Sequence, residues 1–355
     1  MEGQTGTKRS VFVIGAGASN EVGLPLGSDL KNTIAKMVNF RYDDTGITTG
    51  GDKTIVDAVL QNLVKGSNEE YIKLSEAGRL IHDSMPLAPS IDNFIDVHSE
   101  NRRIELVGKL AIIKSILDAE KASDLRVDLG NIHNTIDFKL CEKTWYNSFF
   151  QILIANCKKQ DLKIRFRSIA LIIFNYDRCI EHFLFHALKR YYNLDISEAA
   201  ELIGSIEIYH PYGLVAPLPW ASTTGSIEFG GQPKPAQLFS LINRIKTFTE
   251  ETSSDSNEII NIRNLLINQN NNLIFLGFAF HKLNLDLLTS SPDVKRGLHD
   301  RLVFGSAFGI SEYNKDMISN ELSNRFGMWN NLIRIDTRFK CADVFHQFGR
   351  SISLN

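Results

Sequence analysis

The chain has 355 residues, of which 43% are hydrophobic and 23% charged, a composition typical of a globular protein with one large or two modest domains. Its formal net charge of −2, with lysine and arginine scattered along the sequence, provides no basic surface, so we expect no direct nucleic-acid binding. Residues 1–10 are polar, and the longest apolar runs, such as residues 169–174, are too short to cross a bilayer. We therefore expect a cytoplasmic protein that does not bind membranes.

The first predicted strand ends in a tight glycine turn. Residues 11–14 read Val-Phe-Val-Ile, as in a buried parallel strand, and Gly15 and Gly17 follow where a Cβ would collide with a ligand. The third glycine of a G-x-G-x-x-G fingerprint would fall at Asn20, so that pattern fails. The turn still predicts a pyrophosphate cradle, in which Ser19 and Asn20 hydrogen-bond phosphate or Ser19 caps the helix.

Five more strands are predicted, at residues 168–174, 205–210, 272–277, 302–305 and 332–336. They alternate with helical stretches, which predicts the α/β fold class with a Rossmann-like parallel sheet flanked by helices. Between the first two strands the apolar spacing is helical. We therefore predict a large helical insertion, residues 30–165, within a single domain that spans residues 1–355.

Two polar side chains follow the second predicted strand. Asn175 can both donate and accept hydrogen bonds, which suits it to hold a ribose hydroxyl, an amide or a water molecule. Asp177, two residues on, faces the same side and shares that task in one interpretation. In the other interpretation it caps the helix that begins near Arg178.

A long irregular segment begins at the end of the third predicted strand. Residues 210–236 contain five of the nine prolines together with four glycines, which excludes regular secondary structure. Such a segment is usually a functional lid or a disordered stretch. Its aromatic residues Tyr212, Trp220 and Phe229 favour a lid or a partner-binding surface.

Four segments resemble, in their order, the motifs of the sirtuin (SIR2) superfamily. They are Gly-Ala-Gly-Ala-Ser-x-x-x-Gly-x-Pro at 15–25, Asn-Tyr-Asp at 175–177, His-Pro-Tyr-Gly at 210–213 and Gly-Phe at 277–278. The resemblance implies that NAD is bound, as a substrate. It implies NAD-binding roles for Gly15, Ala16, Gly17, Ala18, Ser19, Gly23, Pro25, Gly277 and Phe278, and catalytic roles for Asn175, Asp177 and His210.

His210 occupies the position of the superfamily's catalytic histidine. An imidazole titrates near neutral pH, so it can accept a proton from a ribose hydroxyl or from water without extreme tuning. The alternative is a structural histidine whose hydrogen bonds are satisfied within the protein.

The chain departs from the protein-deacylating sirtuins in two respects. Those enzymes bind a structural zinc through two Cys-x-x-Cys pairs, whereas the four cysteines here form no such pair. We therefore expect no metal, and deacylase activity is in doubt. The superfamily pattern also continues after Pro25 with Asp-Phe-Arg, where residues 26–28 read Leu-Gly-Ser, so the arginine that would cover the cofactor is absent.

Two further patterns have alternative interpretations. His182 and His186 lie four residues apart on one predicted helical face, a spacing that can bind zinc, although no third ligand is apparent and packing is the competing explanation. Residues 90–94, Ser-Ile-Asp-Asn-Phe, resemble a segment of prokaryotic SIR2-like proteins but also read as a helix start.

The resemblance implies an NAD+ glycohydrolase that releases nicotinamide and ADP-ribose or cyclic ADP-ribose. Such SIR2-like effectors deplete NAD in prokaryotic anti-phage defence by abortive infection. The resemblance also implies an activating, separately encoded partner, either a HerA-type ATPase or a nucleotide-sensing subunit, and a homo- or hetero-oligomer. The alternatives are an NAD or ADP-ribose sensor without turnover and a sirtuin-type protein deacylase.

Overall fold

A computed structural model of the chain describes residues 9–42, 48–63, 68–127, 135–247, 256–268, 270–289, 301–352 and 354. The polar residues 1–8 and three stretches of the predicted insertion, 43–47, 64–67 and 128–134, lie outside the described residues. The described strands are β1 (Ser10–Ile14), β2 (Arg41–Tyr42), β3 (Thr48–Gly50), β4 (Ile169–Ile173), β5 (Glu207–Tyr209), β6 (Asn272–Leu276), β7 (Val303–Ser306) and β8 (Ile333–Asp336).

Six of these strands form one parallel sheet in the order β5-β4-β1-β6-β7-β8. Counted along the chain within this sheet, the order is 3-2-1-4-5-6, the doubly wound order of Rossmann-like folds. This confirms the predicted α/β fold class, and every strand predicted for the sheet is present within two residues of its predicted ends. Strands β2 and β3 form a separate antiparallel pair.

The described helices are α1 (Ala16–Ser19), α2 (Gly27–Met37), α3 (Lys53–Leu63), α4 (Asn68–Ser84), α5 (Ile91–Val97), α6 (Arg102–Ala122), α7 (Trp145–Ile154), α8 (Leu162–Phe166), α9 (Cys179–Tyr192), α10 (Ile196–Ile203), α11 (Pro235–Ser240), α12 (Asn257–Ile267), α13 (Lys282–Leu288), α14 (Glu312–Phe326) and α15 (Cys341–Ile352). Helices α1–α8 and the β2–β3 pair thus lie between β1 and β4 along the chain. None of the described helices combines the length and apolar character needed to span a bilayer.

Both faces of the sheet are buried, which explains why the strands are apolar throughout. Val11 and Val13 of β1 belong to an apolar cluster that also contains residues of α2–α6, α12 and α13. Phe12 and Ile14 point to the opposite face and belong to a second cluster with α7, α9, α10 and α15.

The sheet topology places the candidate site at the carboxyl ends of the strands. Strand β1 is central and pairs with β4 on one side and β6 on the other, and the chain order reverses between β1 and β6. In open α/β sheets ligands bind at the carboxyl ends of the strands beside this reversal. The residues that follow β1, β4, β5 and β6 therefore define the candidate site.

Candidate functional site

The glycine turn after β1 packs directly against the glycine turn after β6. The Gly15 N–H donates to the Leu276 carbonyl (2.9 Å), and the Gly17 N–H donates to the Gly277 carbonyl (3.0 Å). A Cβ on Gly15 would lie 2.6 Å from the Gly277 carbonyl oxygen, and a Cβ on Gly17 would lie 2.8 Å from the Gly277 Cα. The close approach that requires these glycines is therefore one of backbone to backbone, whereas the sequence suggested a ligand.

Gly277 is the most constrained of the three glycines. Its φ is +56°, and a Cβ there would lie 2.0 Å from the Ala18 nitrogen. Its N–H donates to the Ser306 hydroxyl at the end of β7 (2.8 Å). The turn after β6 is thus fixed between the turn after β1 and the end of β7.

The first helix is short. Helix α1 passes into a 3₁₀ turn at Asn20–Val22 and ends at Gly23, whose φ of +91° is readily adopted only by glycine. The Asn20 side chain donates to the Leu24 carbonyl (2.9 Å) and so stabilises this turn within the protein. Ala16 is exposed and Gly17 partly exposed, so the turn presents backbone to solvent at the sheet edge.

Asn175 connects the end of β4 to the turn after β1. Its Nδ2 donates to the Gly15 carbonyl (3.0 Å) and to the Ser19 hydroxyl (3.1 Å). Its Oδ1 is buried and has no hydrogen-bond partner. A buried amide oxygen without a partner is uncommon and indicates a place for a ligand or a water molecule.

Asp177 is buried and has two protein partners. Its Oδ1 accepts from the N–H of Cys179, the first residue of α9 (3.0 Å), but Arg178 occupies the N-cap position, so Asp177 lies one residue before the cap expected from the sequence. The Ser19 hydroxyl also hydrogen-bonds to it. Burial raises the pKa of Asp177, and the bonds from Cys179 and Ser19 act in the opposite direction.

His210 follows β5 and is held by two carboxylates. Its Nε2 lies 2.7 Å from Glu181 Oε1 in α9, and its backbone N–H donates to Glu258 Oε1 in α12 (3.1 Å). Burial alone would lower the pKa of His210, but the charge and hydrogen bond of Glu181, together with Asp177 and the Asn175 carbonyl, raise it above its ordinary value. Nδ1 forms no hydrogen bond.

The structure brings the predicted catalytic residues into one polar cluster. The ring of His210 lies beside the Asn175 carbonyl, and Asp177 is close enough to influence both His210 and Glu181. Among the described residues, the buried polar atoms without a partner include Asn175 Oδ1, His210 Nδ1 and Glu181 Oε2. Buried polar atoms without a partner are uncommon, so each of the three indicates a place for a water molecule or a polar ligand.

Two members of this cluster were not identified from the sequence. Glu181 lies in the first turn of α9, four residues after Asp177. This closeness in sequence to Asp177 was the one feature that could have identified it. Tyr146 of α7 donates its hydroxyl to Ser19 (3.3 Å) from the other side of the glycine turn. Its partner lies 127 residues away, so no local pattern could reveal it.

His182 and His186 serve packing. His182 Nε2 lies 3.1 Å from the Leu125 carbonyl, and its ring stacks on Phe229 with 4.0 Å between centroids. Burial lowers the pKa of His186 to about 4. In the part of the chain that the structure describes, no group of three or more candidate ligands is placed to bind a metal ion.

The segment 210–236 is attached to the domain along its length. Tyr212 donates to Asn284 Oδ1 (2.7 Å), Trp220 stacks on Phe185 (4.7 Å between centroids) and Phe229 stacks on His182. From the sequence, these three aromatic residues favoured a lid or a partner-binding surface. In the structure, all three contact other parts of the same chain.

Arg178 is the main anchor of that segment. Its guanidinium donates to the carbonyls of Ala216 (3.2 Å) and Ile227 (2.6 Å) and forms a two-pronged ion pair with Glu120 of α6. Arg178 is 1% and Glu120 0% exposed in their side chains. One buried ion pair therefore joins α6, the start of α9 and the segment 210–236.

Residues 90–94 form a helix start, as one of their two interpretations predicted. The Ser90 hydroxyl caps α5 by accepting from the Asn93 N–H (3.0 Å). Asp92 accepts from the hydroxyl of Tyr176 (2.5 Å), the residue between Asn175 and Asp177. A helix start thus also supports the loop that carries the candidate catalytic side chains.

No protein-family model matches this chain, and no curated protein is significantly similar to it. The resemblance to sirtuins therefore rests on the four sequence motifs.

Proposed function

We propose that this protein is an NAD+ glycohydrolase of the sirtuin (SIR2) superfamily. The observation that carries the proposal is the position of Asn175 and His210, which follow neighbouring strands beside the glycine turn and both retain a buried, unpaired polar atom. Their positions correspond to the motifs that resemble the superfamily's catalytic residues.

The proposed reaction breaks the bond between nicotinamide and ribose. Nicotinamide leaves as a neutral molecule from a cationic precursor, so the enzyme needs no strong acid and must instead stabilise positive charge developing on the ribose. In the hydrolytic reaction water adds to the ribose carbon, and the products are nicotinamide, ADP-ribose and a proton. In the cyclising reaction an adenine nitrogen takes the place of water.

The side chains at the site suit distinct tasks in this reaction. Neutral His210 would accept the proton from a ribose hydroxyl or from the attacking water. Asn175 Oδ1 would accept a hydrogen bond from the same group and orient it. Asp177 would act as a positioning residue, since its described hydrogen bonds hold Ser19 and the start of α9.

The turn after β1 would hold the pyrophosphate of the substrate. Ala16 and Gly17 present their backbone to solvent at the chain reversal, where dinucleotides bind in this fold. Because the Gly17 N–H is already bonded to Gly277, phosphate contacts would come from neighbouring groups of residues 15–19. Gly23 and Pro25 would support the turn, and Gly277 and Phe278 would lie beside the adenosine half.

The biological setting is part of the same proposal and follows from the resemblance. The enzyme would deplete NAD in phage-infected prokaryotic cells and remain silent until a separately encoded partner activates it. The partner would be a HerA-type ATPase or a nucleotide-sensing subunit, in a homo- or hetero-oligomer in the cytoplasm.

One observation favours a second function, NAD or ADP-ribose sensing without turnover. The acidic surroundings of His210 raise its pKa and thus favour the imidazolium, which cannot accept a proton. A protein that kept His210 protonated would bind the nucleotide and leave it intact.

The test is NAD cleavage by the purified chain, with and without its native operon partners. Chromatography would resolve nicotinamide, ADP-ribose and cyclic ADP-ribose. We expect Asn175→Ala and His210→Ala each to lower the rate by about 100-fold or more, as is typical of lost positioning and general-base catalysis. His346→Ala, an exposed histidine on α15, is the matched control.

Undiminished cleavage by His210→Ala, in protein shown to be free of contaminating glycohydrolase, would exclude this mechanism. Binding of NAD without release of nicotinamide, with every partner present, would support the sensor.

A further inference from the structure

The two nitrogens of the His210 ring have different surroundings. Nε2 lies 2.7 Å from Glu181 Oε1, and both side chains are nearly buried, with 10% and 12% of their surfaces exposed. Nδ1 is buried and has no hydrogen-bond partner of favourable geometry, although the Asn175 carbonyl lies beside the ring. An ionised carboxylate accepts hydrogen bonds and cannot donate them, so Nε2 must carry the proton in this contact.

The elements packed around His210 bring carboxylates towards it. Glu181 comes from α9, Asp177 from the loop after β4, and Glu258 from α12 contacts the backbone nitrogen. The carbonyl of Asn175 lies beside the ring. Among these carboxylates of the described residues, Glu181 is the one that hydrogen-bonds to a ring nitrogen.

We propose that Glu181 is a positioning residue that holds neutral His210 in the Nε2–H tautomer and so presents Nδ1 as the proton acceptor. The inference rests on the proposed function. The paired carboxylate would fix the plane of the imidazole, as carboxylates do for catalytic histidines in general.

The proton balance of the step is simple. Nδ1 takes a proton from the ribose hydroxyl or the attacking water, and the ring becomes an imidazolium that keeps its Nε2–H bond to Glu181. The positive charge that forms is stabilised by the adjacent carboxylate. The proton passes to solvent after nicotinamide and ADP-ribose leave, and the neutral tautomer is restored.

Glu181 also affects the pH range in which the base works. Its charge and hydrogen bond are the main causes that raise the pKa of His210 against the effect of burial. Since only the neutral ring accepts a proton, the rate should increase with pH as His210 deprotonates. Removal of the carboxylate should move this acidic limb to lower pH and also lower the maximal rate, because the ring loses its orientation.

The test uses the full chain with 15N-labelled histidine and follows both ring nitrogens by NMR as pH is varied. We expect the wild type to show the Nε2–H tautomer when neutral and a pKa above 6.5. Glu181→Gln should lower this pKa and remove the preference for that tautomer, since an amide can donate to Nε2 as well as accept. In cleavage assays it should lower kcat by about tenfold or more with a smaller change in KM.

Glu258→Gln is the matched control, because this carboxylate contacts the backbone of His210 and not its ring. It should leave the tautomer unchanged and shift the ring pKa less than Glu181→Gln does. Glu181→Asp, which keeps the charge, should restore part of the pKa elevation, and circular dichroism would confirm that each variant is folded.

An unchanged tautomer and pKa in Glu181→Gln would overturn the inference. The NMR measurement needs no turnover, so a wild type that shows the expected tautomer but cleaves no NAD would refute the proposed function and leave the pairing intact. Cleavage by wild type with an unchanged pH profile in Glu181→Gln would refute the inference and leave the proposed function intact.

Discussion

Single glycine residues allow the turn after β1 to pack closely against the turn after β6. Gly277 combines a φ of +56° with no room for a Cβ, which would lie 2.0 Å from the Ala18 nitrogen. Because the opposing atoms belong to backbone, they cannot rotate away as a side chain would. Any residue other than glycine at position 277 must therefore displace the turn formed by residues 15–19.

We expect Gly277→Ala to lower the free energy of unfolding by at least about 2 kcal/mol, the scale of strained backbone and steric overlap. The control is Gly349→Ala, which lies within α15, meets no atom within 4 Å and should be neutral or slightly stabilising. Urea unfolding of both variants measures the difference. Equal stabilities would show that the turn has more freedom than the structure indicates.

The sequence predicted some site residues well and could not predict others. Asn175 and His210 follow predicted strands, and parallel strands place their carboxyl ends at one edge, so their proximity followed from the fold class. Glu181 contacts His210 only because the fold brings the first turn of α9 next to the end of β5, and no local sequence pattern encodes that approach. The partner of Gly17 is Gly277, far along the chain, so local reasoning assigned the missing Cβ to a ligand.

At the scale of elements, charged side chains join helices to the site. Glu21 accepts from the Trp145 N–H of α7 (2.8 Å) and from the Ala342 N–H of α15 (3.1 Å), so one carboxylate caps two helices. It lies within the first sirtuin-like motif, two residues after Ser19. Part of that motif therefore serves helix packing, whichever ligand the turn binds.

The Arg178–Glu120 pair is the second such connection. It is fully buried, and Glu120 Oε2 also accepts from the Gly230 N–H (2.9 Å). Burial raises the pKa of Glu120, with Arg178 acting in the opposite direction. Loss of the carboxylate would leave the buried guanidinium without its counter-charge.

We expect Glu120→Ala to cost about 3–5 kcal/mol of unfolding free energy, as is typical when one partner of a buried ion pair is removed. Glu201→Gln, which breaks an ion pair of Glu201 with Lys163 whose side chains are 67% and 53% exposed, is the control and should cost less than about 1 kcal/mol. Chemical denaturation gives both values. A small effect of Glu120→Ala would mean that the other contacts of segment 210–236, including the bonds from Arg178 to its carbonyls, hold it without the ion pair.

At the scale of the whole molecule, the helices between β1 and β4 supply buried surface to the sheet. Leu110 and Ile113 of α6 belong to the same apolar cluster as Val11 and Val13 of β1. Trp145 of α7 belongs to the cluster on the opposite face. The sequence showed helical spacing in this region but not which face each helix covers, because that depends on contacts between distant parts of the chain.

This arrangement predicts one cooperative unfolding transition. Residues of helices α2–α6 share one apolar cluster with Val11 and Val13 of the sheet, so separation of these helices would expose part of that cluster to water. Fluorescence of Trp145, with Trp220→Phe and Trp329→Phe as the background, reports the opposite face, whereas far-ultraviolet circular dichroism reports all helices. In a urea titration the two signals should have the same midpoint. A loss of helical signal at lower urea than the Trp145 change would instead identify the region between β1 and β4 as a unit that unfolds separately.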